Sequence, residues 1–218
     1  MQHIRILKPT SRSPLSLPNI RKNFENLSVD PYVREGFRRK HIRRYRVLSK
    51  EHDLVLLQPL PNEPLFQRKL FNPVHGDIQR NYPIFKPTWD TMKVIHAFVR
   101  ESDVVEGQRI LVQAQRIVCT PNMIGLPSVE DWHQDDVTEI GIFCVTRKNV
   151  LGGMNQFQEL SSDKIASSFV LQEGELALFK DAFVRHRVTP IAYDPIDDKS
   201  CDGHGYRDVL LLSHGGCT

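Results

Sequence analysis

Three side chains and a guanidinium define the chemistry this sequence could support. His133 and Asp135 stand two apart in Glu130-Asp131-Trp132-His133-Gln134-Asp135, ahead of the β-rich run Val137 to Arg147. Side chains two apart on an extended segment project to one face, so an imidazole and a carboxylate stand side by side. These are two of the three donors of a 2-His-1-carboxylate set, which holds a divalent iron and leaves positions open for co-substrate and oxygen. His-x-Asp alone is a common coincidence in a chain with 9 histidines. It gains meaning only if a third donor and an anion-binding group follow.

Both follow. Val184, His186 and Val188 alternate with Arg185 and Arg187, giving one face Val-His-Val and the other Arg-Arg. A histidine between valines is buried, and its ring nitrogens need partners, which a metal or a core hydrogen bond can supply. His186 comes several strands after Asp135, about where a folded-back jelly roll returns a third donor. Arg207 opens the strand Arg207 to Leu212, apolar on both faces and therefore internal. A guanidinium there is either held in an ion pair with Asp208 or Asp181 or receives a carboxylate through two parallel hydrogen bonds. His75, His204 and His214 rank below His186, because none has a carboxylate two residues away in a strand context.

These residues need strands to position them. Thr88 caps a helix from Trp89 to about Arg100, with Trp89, Met92, Ile95, Phe98 and Val99 near helical spacing. A shorter helix is expected over Asn19 to Leu27. From Arg109 onward, short strands alternate with turn residues: Ile110 to Cys119, Thr138 to Arg147, Ser168 to Leu171, Leu176 to Phe179, Phe183 to Val188 and Arg207 to Ser213. That series predicts a mainly β fold with flanking helices, a jelly roll of the double-stranded β-helix, cupin-like type. The expected organisation is a single domain over 1–218, with an N-terminal extension and helix in 1–30 and the metal-bearing strands in 109–218. Asp53 to Leu57 reads as a buried strand. Phe37 to Arg46, the most basic stretch, reads as a strand with one solvated cationic face, with a nucleic-acid patch as the alternative.

At 218 residues, 40% hydrophobic and 25% charged, the chain can bury a real core, and a net charge of +3 argues against a polyelectrolyte binder. Its four cysteines show no metal or disulfide spacing, and Cys119 and Cys144 read as buried, reduced thiols. The beginning of the chain lacks a secretory h-region and no apolar run approaches membrane-spanning length, so a cytoplasmic setting without membrane contact is expected.

Taken in order, Glu130 to Asp135, Gly174-Glu175-Leu176, Asp181 with His186 to Ile191, and Arg207 to Leu210 resemble the bacterial Fe(II)/2-oxoglutarate-dependent dioxygenases that hydroxylate free L-amino acids. L-isoleucine dioxygenase and the pipecolate hydroxylases belong to that group. The resemblance extends upstream to Asp30-Pro31-Tyr32, Arg43-Arg44-Tyr45 and Phe71-Asn72 with Gly76 and Arg80. It implies a double-stranded β-helix, iron on His133, Asp135 and His186, and Arg207 paired with the 5-carboxylate of 2-oxoglutarate. O2 is the third reactant, and hydroxylation releases succinate and CO2. The family often has glycine where this chain has Asp136. A free amino acid also needs its zwitterionic head bound, for which Arg116, Arg80, Glu130 and Asp136 are candidates by position.

The expected partner is an aliphatic or cyclic amino acid, with no nucleic acid, in a monomer or homodimer. The alternatives are a 2-oxoglutarate oxygenase acting on protein or nucleic acid, and a jelly-roll binder without catalysis.

Overall fold

The protein is described by a computed structural model covering residues 4–9, 14–51, 54–74, 76–162, 164–196 and 203–216. Its strands are β1 (Ile4–Leu7), β2 (Arg38–Glu51), β3 (Leu54–Pro59), β4 (Arg109–Cys119), β5 (Glu139–Lys148), β6 (Val150–Gly152), β7 (Asn155–Glu159), β8 (Ile165–Phe169), β9 (Leu176–Lys180), β10 (Val184–Val188), β11 (Ile191–Tyr193) and β12 (Gly205–His214). Two helices accompany them, α1 (Leu17–Arg21) and α2 (Trp89–Glu101).

Seven strands form one sheet in the order β1-β9-β5-β12-β4-β2-β3; β10-β7-β8 form a second sheet and β11-β6 a short ribbon. The fold is mainly β, a jelly roll with helices outside, as expected. The residues expected to form an N-terminal extension contribute more than that, because Ile4–Leu7 pair with β9 as an edge strand. The early helix is also shorter than expected: it ends at Arg21 and tightens into a 3-10 turn over Lys22–Phe24.

The large sheet buries both faces. On one, the helices bring Ile20, Phe24, Val94, Ile95 and Phe98 against Val112, Phe143 and Leu210. Gly141 permits that approach, since a Cβ there would meet the Phe98 ring at 2.7 Å. Trp89 contributes nothing to this layer: as the first residue of α2 it stands 73% exposed. Against the other face pack Phe157 of β7 and Val184 of β10, closing on Ile140, Ile142, Phe179 and Val209. The space between the two sheets narrows to this core at one end and opens as a cavity at the other.

Cys119 and Cys144 are buried free thiols, as expected; Cys201, Cys217 and His75 lie outside the described residues. Among the described residues no helix is long and apolar enough to cross a membrane.

Candidate active site

His133 and His186 meet through the backbone. His133 N donates to the His186 carbonyl at 3.1 Å, and His186 N to the His133 carbonyl at 2.9 Å. This single antiparallel bridge ties the segment before β5 to the middle of β10 and sets the two rings 4.4 Å apart. The expectation that His133 and Asp135 ride a regular strand is corrected here, because they occupy an irregular segment. What aims them is the bridge together with left-handed backbone on either side, at Asp131 and Asp136 (φ 59° for both). Aspartate tolerates that conformation through its short polar side chain, and glycine tolerates it without cost. The glycine expected from the resemblance and the Asp136 found here therefore satisfy one backbone demand.

Asp135 completes the group. Its Oδ2 lies 3.5 Å from His186 Nε2 and its Oδ1 lies 4.0 Å from His133 Nε2. One donor atom from each residue falls within 4.8 Å of the others. The proton positions suit a metal. His133 Nδ1 is 2.8 Å from the Asp131 carbonyl; a carbonyl only accepts, so Nδ1 holds the proton and Nε2 presents its lone pair to the triad.

Burial lowers the His186 pKa, and the charge of His133 lowers it further, keeping this imidazole neutral near pH 7. Burial alone would raise the Asp135 pKa, but the hydrogen bond with His186 and the charges of both histidines hold it well below the usual carboxylate range. Burial would lower the His133 pKa, but Asp135, Glu130 and the Asp131 carbonyl together outweigh it and raise the value. A divalent iron would take the place of any proton on its Nε2, and two imidazole nitrogens and a carboxylate facing one point are a donor set that fits that ion.

Asp181, on the 3-10 turn after β9, steadies the triad from behind. Its Oδ2 accepts from the backbone N–H of Asp135 at 2.9 Å and of Val137 at 3.3 Å. Its Oδ1 stands 3.5 Å from His186 Nδ1, close but not aligned as a hydrogen bond. Burial, then the charge of Asp135, raises the Asp181 pKa.

A second brace comes from the segment between β3 and α2. Gln67 Nε2 donates to Asp135 Oδ1 at 2.9 Å. The amide cannot flip, because its oxygen already accepts from Asn72 Nδ2 at 3.0 Å and from Arg80 Nη2. Asn72 Nδ2 also donates to Glu130 Oε1 at 3.0 Å. Hydrogen bonds thus run without a break from a metal ligand to the acid and cation expected at the substrate head. Spacing had not singled out Gln67, and Asn72 entered only beside Phe71 in the resemblance.

The cavity in front of the triad measures about 1040 Å³ with its open mouth included, and Glu130, Arg80 and Arg207 all line it. Arg207 is 2% exposed. Neither Asp208 nor Asp181 pairs with it, and its Nε and Nη2 have no hydrogen-bond partner. A buried guanidinium in that state is built for an anion.

Two of the substrate candidates are placed elsewhere. Arg116 points to the opposite face of the sheet, where it binds Asp208 through Nε and Nη2, both at 2.7 Å. Asp136 turns outward and takes both donors of Arg68, at 2.7 and 2.6 Å. Each carries a charge, but a protein partner has already claimed it.

The basic strand also departs from expectation. Arg38, Lys40 and Arg44 are buried, and Arg38 and Lys40 line the cavity. The alternation of Arg38, Lys40 and Ile42 was the available signal. His204 is exposed and His214 pairs with Glu139 at 3.4 Å, away from the triad.

A sequence model described as 2OG-Fe dioxygenase matches residues 21–213. A bsmA homolog from Methylobium petroleophilum PM1 superposes with a TM-score of 0.77 at 20% identity, covering 99% of this chain and 89% of that one. The IDO of Bacillus thuringiensis gives 0.67 at 19% identity, with coverage of 92% and 85%. The Fe(II)/(alpha)ketoglutarate-dependent dioxygenase TqaL gives 0.64 at 13%, with 98% and 82%. At these identities the likeness is one of fold. No curated protein matches the chain by sequence.

Proposed function

The chain belongs to the 2OG-Fe dioxygenase family, and from that premise we propose that it hydroxylates an unactivated C–H bond of a free L-amino acid. The family works with Fe(II), 2-oxoglutarate and O2. When bound, these supply the oxidising power and release succinate and CO2. In this reading His133, Asp135 and His186 hold the metal, and Arg207 receives the 5-carboxylate of 2-oxoglutarate. Burial of Arg207 strengthens that contact, because charge-assisted hydrogen bonds gain as water is excluded. Asp181 and Gln67 keep the carboxylate ligand oriented, and the segment carrying Gln67 and Asn72 screens the site from water.

The observation that carries the substrate class is the linkage of Glu130 and Arg80 through Asn72 and Gln67 on the cavity wall. A free amino acid presents an ammonium and a carboxylate a few ångströms apart, and a fixed acid beside a fixed cation complements both. The protein or nucleic-acid reading rested on the basic strand as a surface patch, and burial of Arg38, Lys40 and Arg44 removes that support.

The test is succinate release by anaerobically loaded protein on a panel of free amino acids, with the product read by mass. Gain of one oxygen atom on one amino acid is expected. His186→Ala should bind no stoichiometric iron and lose turnover about a thousandfold or more. Absence of amino-acid-dependent turnover across the panel overturns the substrate class; turnover that survives His186→Ala overturns the metal assignment.

A further inference from the structure

We propose that the amino acid taken by this cavity carries a second acid on its side chain, received by Lys40 and Arg38. The inference rests on the free-amino-acid reading above, and it departs from the aliphatic or cyclic side chain expected from the sequence.

Register places these two cations. Arg38 of β2 pairs with Ile117 of β4, which pairs with Arg207 of β12; Lys40 pairs with Gln115, and Gln115 with Val209. Adjacent strands lie about 4.8 Å apart, so the Arg38–Lys40 row is roughly 10 Å across the sheet from the Arg207 row. The cavity therefore contains a second row of cations, two strands away from the 2-oxoglutarate arginine.

Its charges are not balanced by the protein. Arg38, Lys40 and Arg80 are 4%, 5% and 2% exposed. Asp30 takes Arg38 Nε at 2.6 Å, but Arg38 Nη2 and Arg80 Nε have no hydrogen-bond partner. Lys40 is barer still: its ammonium lies 4.7 Å from the centre of the Tyr82 ring, with no ion pair or hydrogen bond to it among the described residues. Against three cations the region offers the carboxylates of Asp30 and Glu130; Asp135, which also lines the cavity, is committed to the metal in this reading. A neutral zwitterion adds one charge of each sign and leaves a buried cation uncompensated. An amino acid with one extra carboxylate closes the balance, and buried charges are retained where they are paired. The polar amides of Gln113 and Gln115 line the cavity beside the same strand. Consistent with the unmet charge, burial and then the neighbouring Arg38 and Arg80 bring the Lys40 pKa down to about 7.

The experiment compares kcat/KM of the iron-loaded wild type for aspartate, glutamate and 2-aminoadipate with that for leucine, isoleucine, proline and pipecolate. An acidic amino acid should lead by at least tenfold, and in Lys40→Met that ratio should fall tenfold or more. Calorimetric titration of the preferred acidic amino acid into metal-free wild type and Lys40→Met gives a readout independent of turnover. The variant should bind at least tenfold more weakly, with melting curves confirming that both proteins are folded. Equal or better use of neutral amino acids by the wild type overturns this inference and leaves the free-amino-acid reading standing. Turnover of no amino acid overturns that reading and the inference with it. If Lys40→Met does not fold, the wild-type panel decides alone.

Discussion

Arg116 and Arg207 sit on paired strands one residue out of step, and they face opposite sides of one sheet. On the helix-covered side, Arg116 gives two hydrogen bonds to Asp208 and lies 4.1 Å from the centre of the Tyr206 ring. On the cavity side, Arg207 keeps two nitrogens without partners, as Arg38 and Arg80 each keep one. The Arg116 guanidinium is satisfied by the protein, and that of Arg207 is left unmet. The difference separates a structural charge from a receiving one, and the sequence alone carried too little to draw it.

The largest effect expected from this contrast is on stability. Arg116→Met strands the fully buried Asp208 carboxylate, and breaking a buried ion pair from one side costs about 3–5 kcal/mol. Denaturant unfolding should show that loss, while 2-oxoglutarate affinity of the folded fraction stays near wild type. Arg207→Met should do the reverse. It removes an unpaired buried cation, so stability holds or rises. Binding of 2-oxoglutarate should weaken by about 10- to 150-fold, the equivalent of about 1.5–3 kcal/mol for charge-assisted hydrogen bonds. If Arg207→Met unfolds the chain, or Arg116→Met abolishes 2-oxoglutarate binding, the contrast between the faces is wrong.

Gln67 sharpens the cavity side. Its amide is locked by Asn72 and Arg80 so that it can only donate to Asp135. Gln67→Leu keeps the volume and removes the donor, and partners that orient a metal ligand are worth about 10- to 100-fold in metal affinity or activity. The variant should need correspondingly more Fe(II) for half-maximal activity, and Gln67→Glu should not restore it, since a carboxylate has no amide donor to offer. Wild-type iron dependence in Gln67→Leu would reduce the residue to a surface filler.

The parts of this site that were legible are those fixed by local alternation. His186 between two valines had to be inward, and Arg207 at the mouth of a doubly apolar strand had to be internal. The His133–Asp135 pair was found for a partly mistaken reason, since a backbone bridge and two left-handed residues replace the strand that was expected. Arg38 and Lys40 were misread because both faces of β2 are polar there: Arg39 and His41 alternate with them, and period two cannot say which face meets a cavity. Arg116 and Asp136 failed for another reason. Their partners, Asp208 and Arg68, come from distant parts of the chain, and only the register of β4 with β12 and the fold of the β3–α2 segment bring them together. Arg80 and Glu130 line the cavity, brought there by the same long-range packing.

The last prediction is a pair of slopes, and it tests whether Lys40 belongs with the unmet charges. Its pKa is lowered to about 7 by burial and by Arg38 and Arg80, against Asp30 and Asp135, which raise it; the Tyr82 ring is the neutral group facing it. In the unfolded chain the value returns to 10.5. Between these values the unfolded state holds a proton that the folded state has released, so stability must rise with pH across that window. Below about pH 7 both states hold it and this contribution is flat. Anion binding has the opposite sign. A carboxylate prefers the protonated ammonium, so above about pH 7 binding must first take up a proton, and affinity falls by up to about tenfold per pH unit. Calorimetry with an acidic amino acid and unfolding curves between pH 6 and about pH 9 should therefore slope in opposite directions, and Lys40→Met should flatten both. A satisfied structural lysine would give neither slope, because the protein that pairs it would hold its proton throughout.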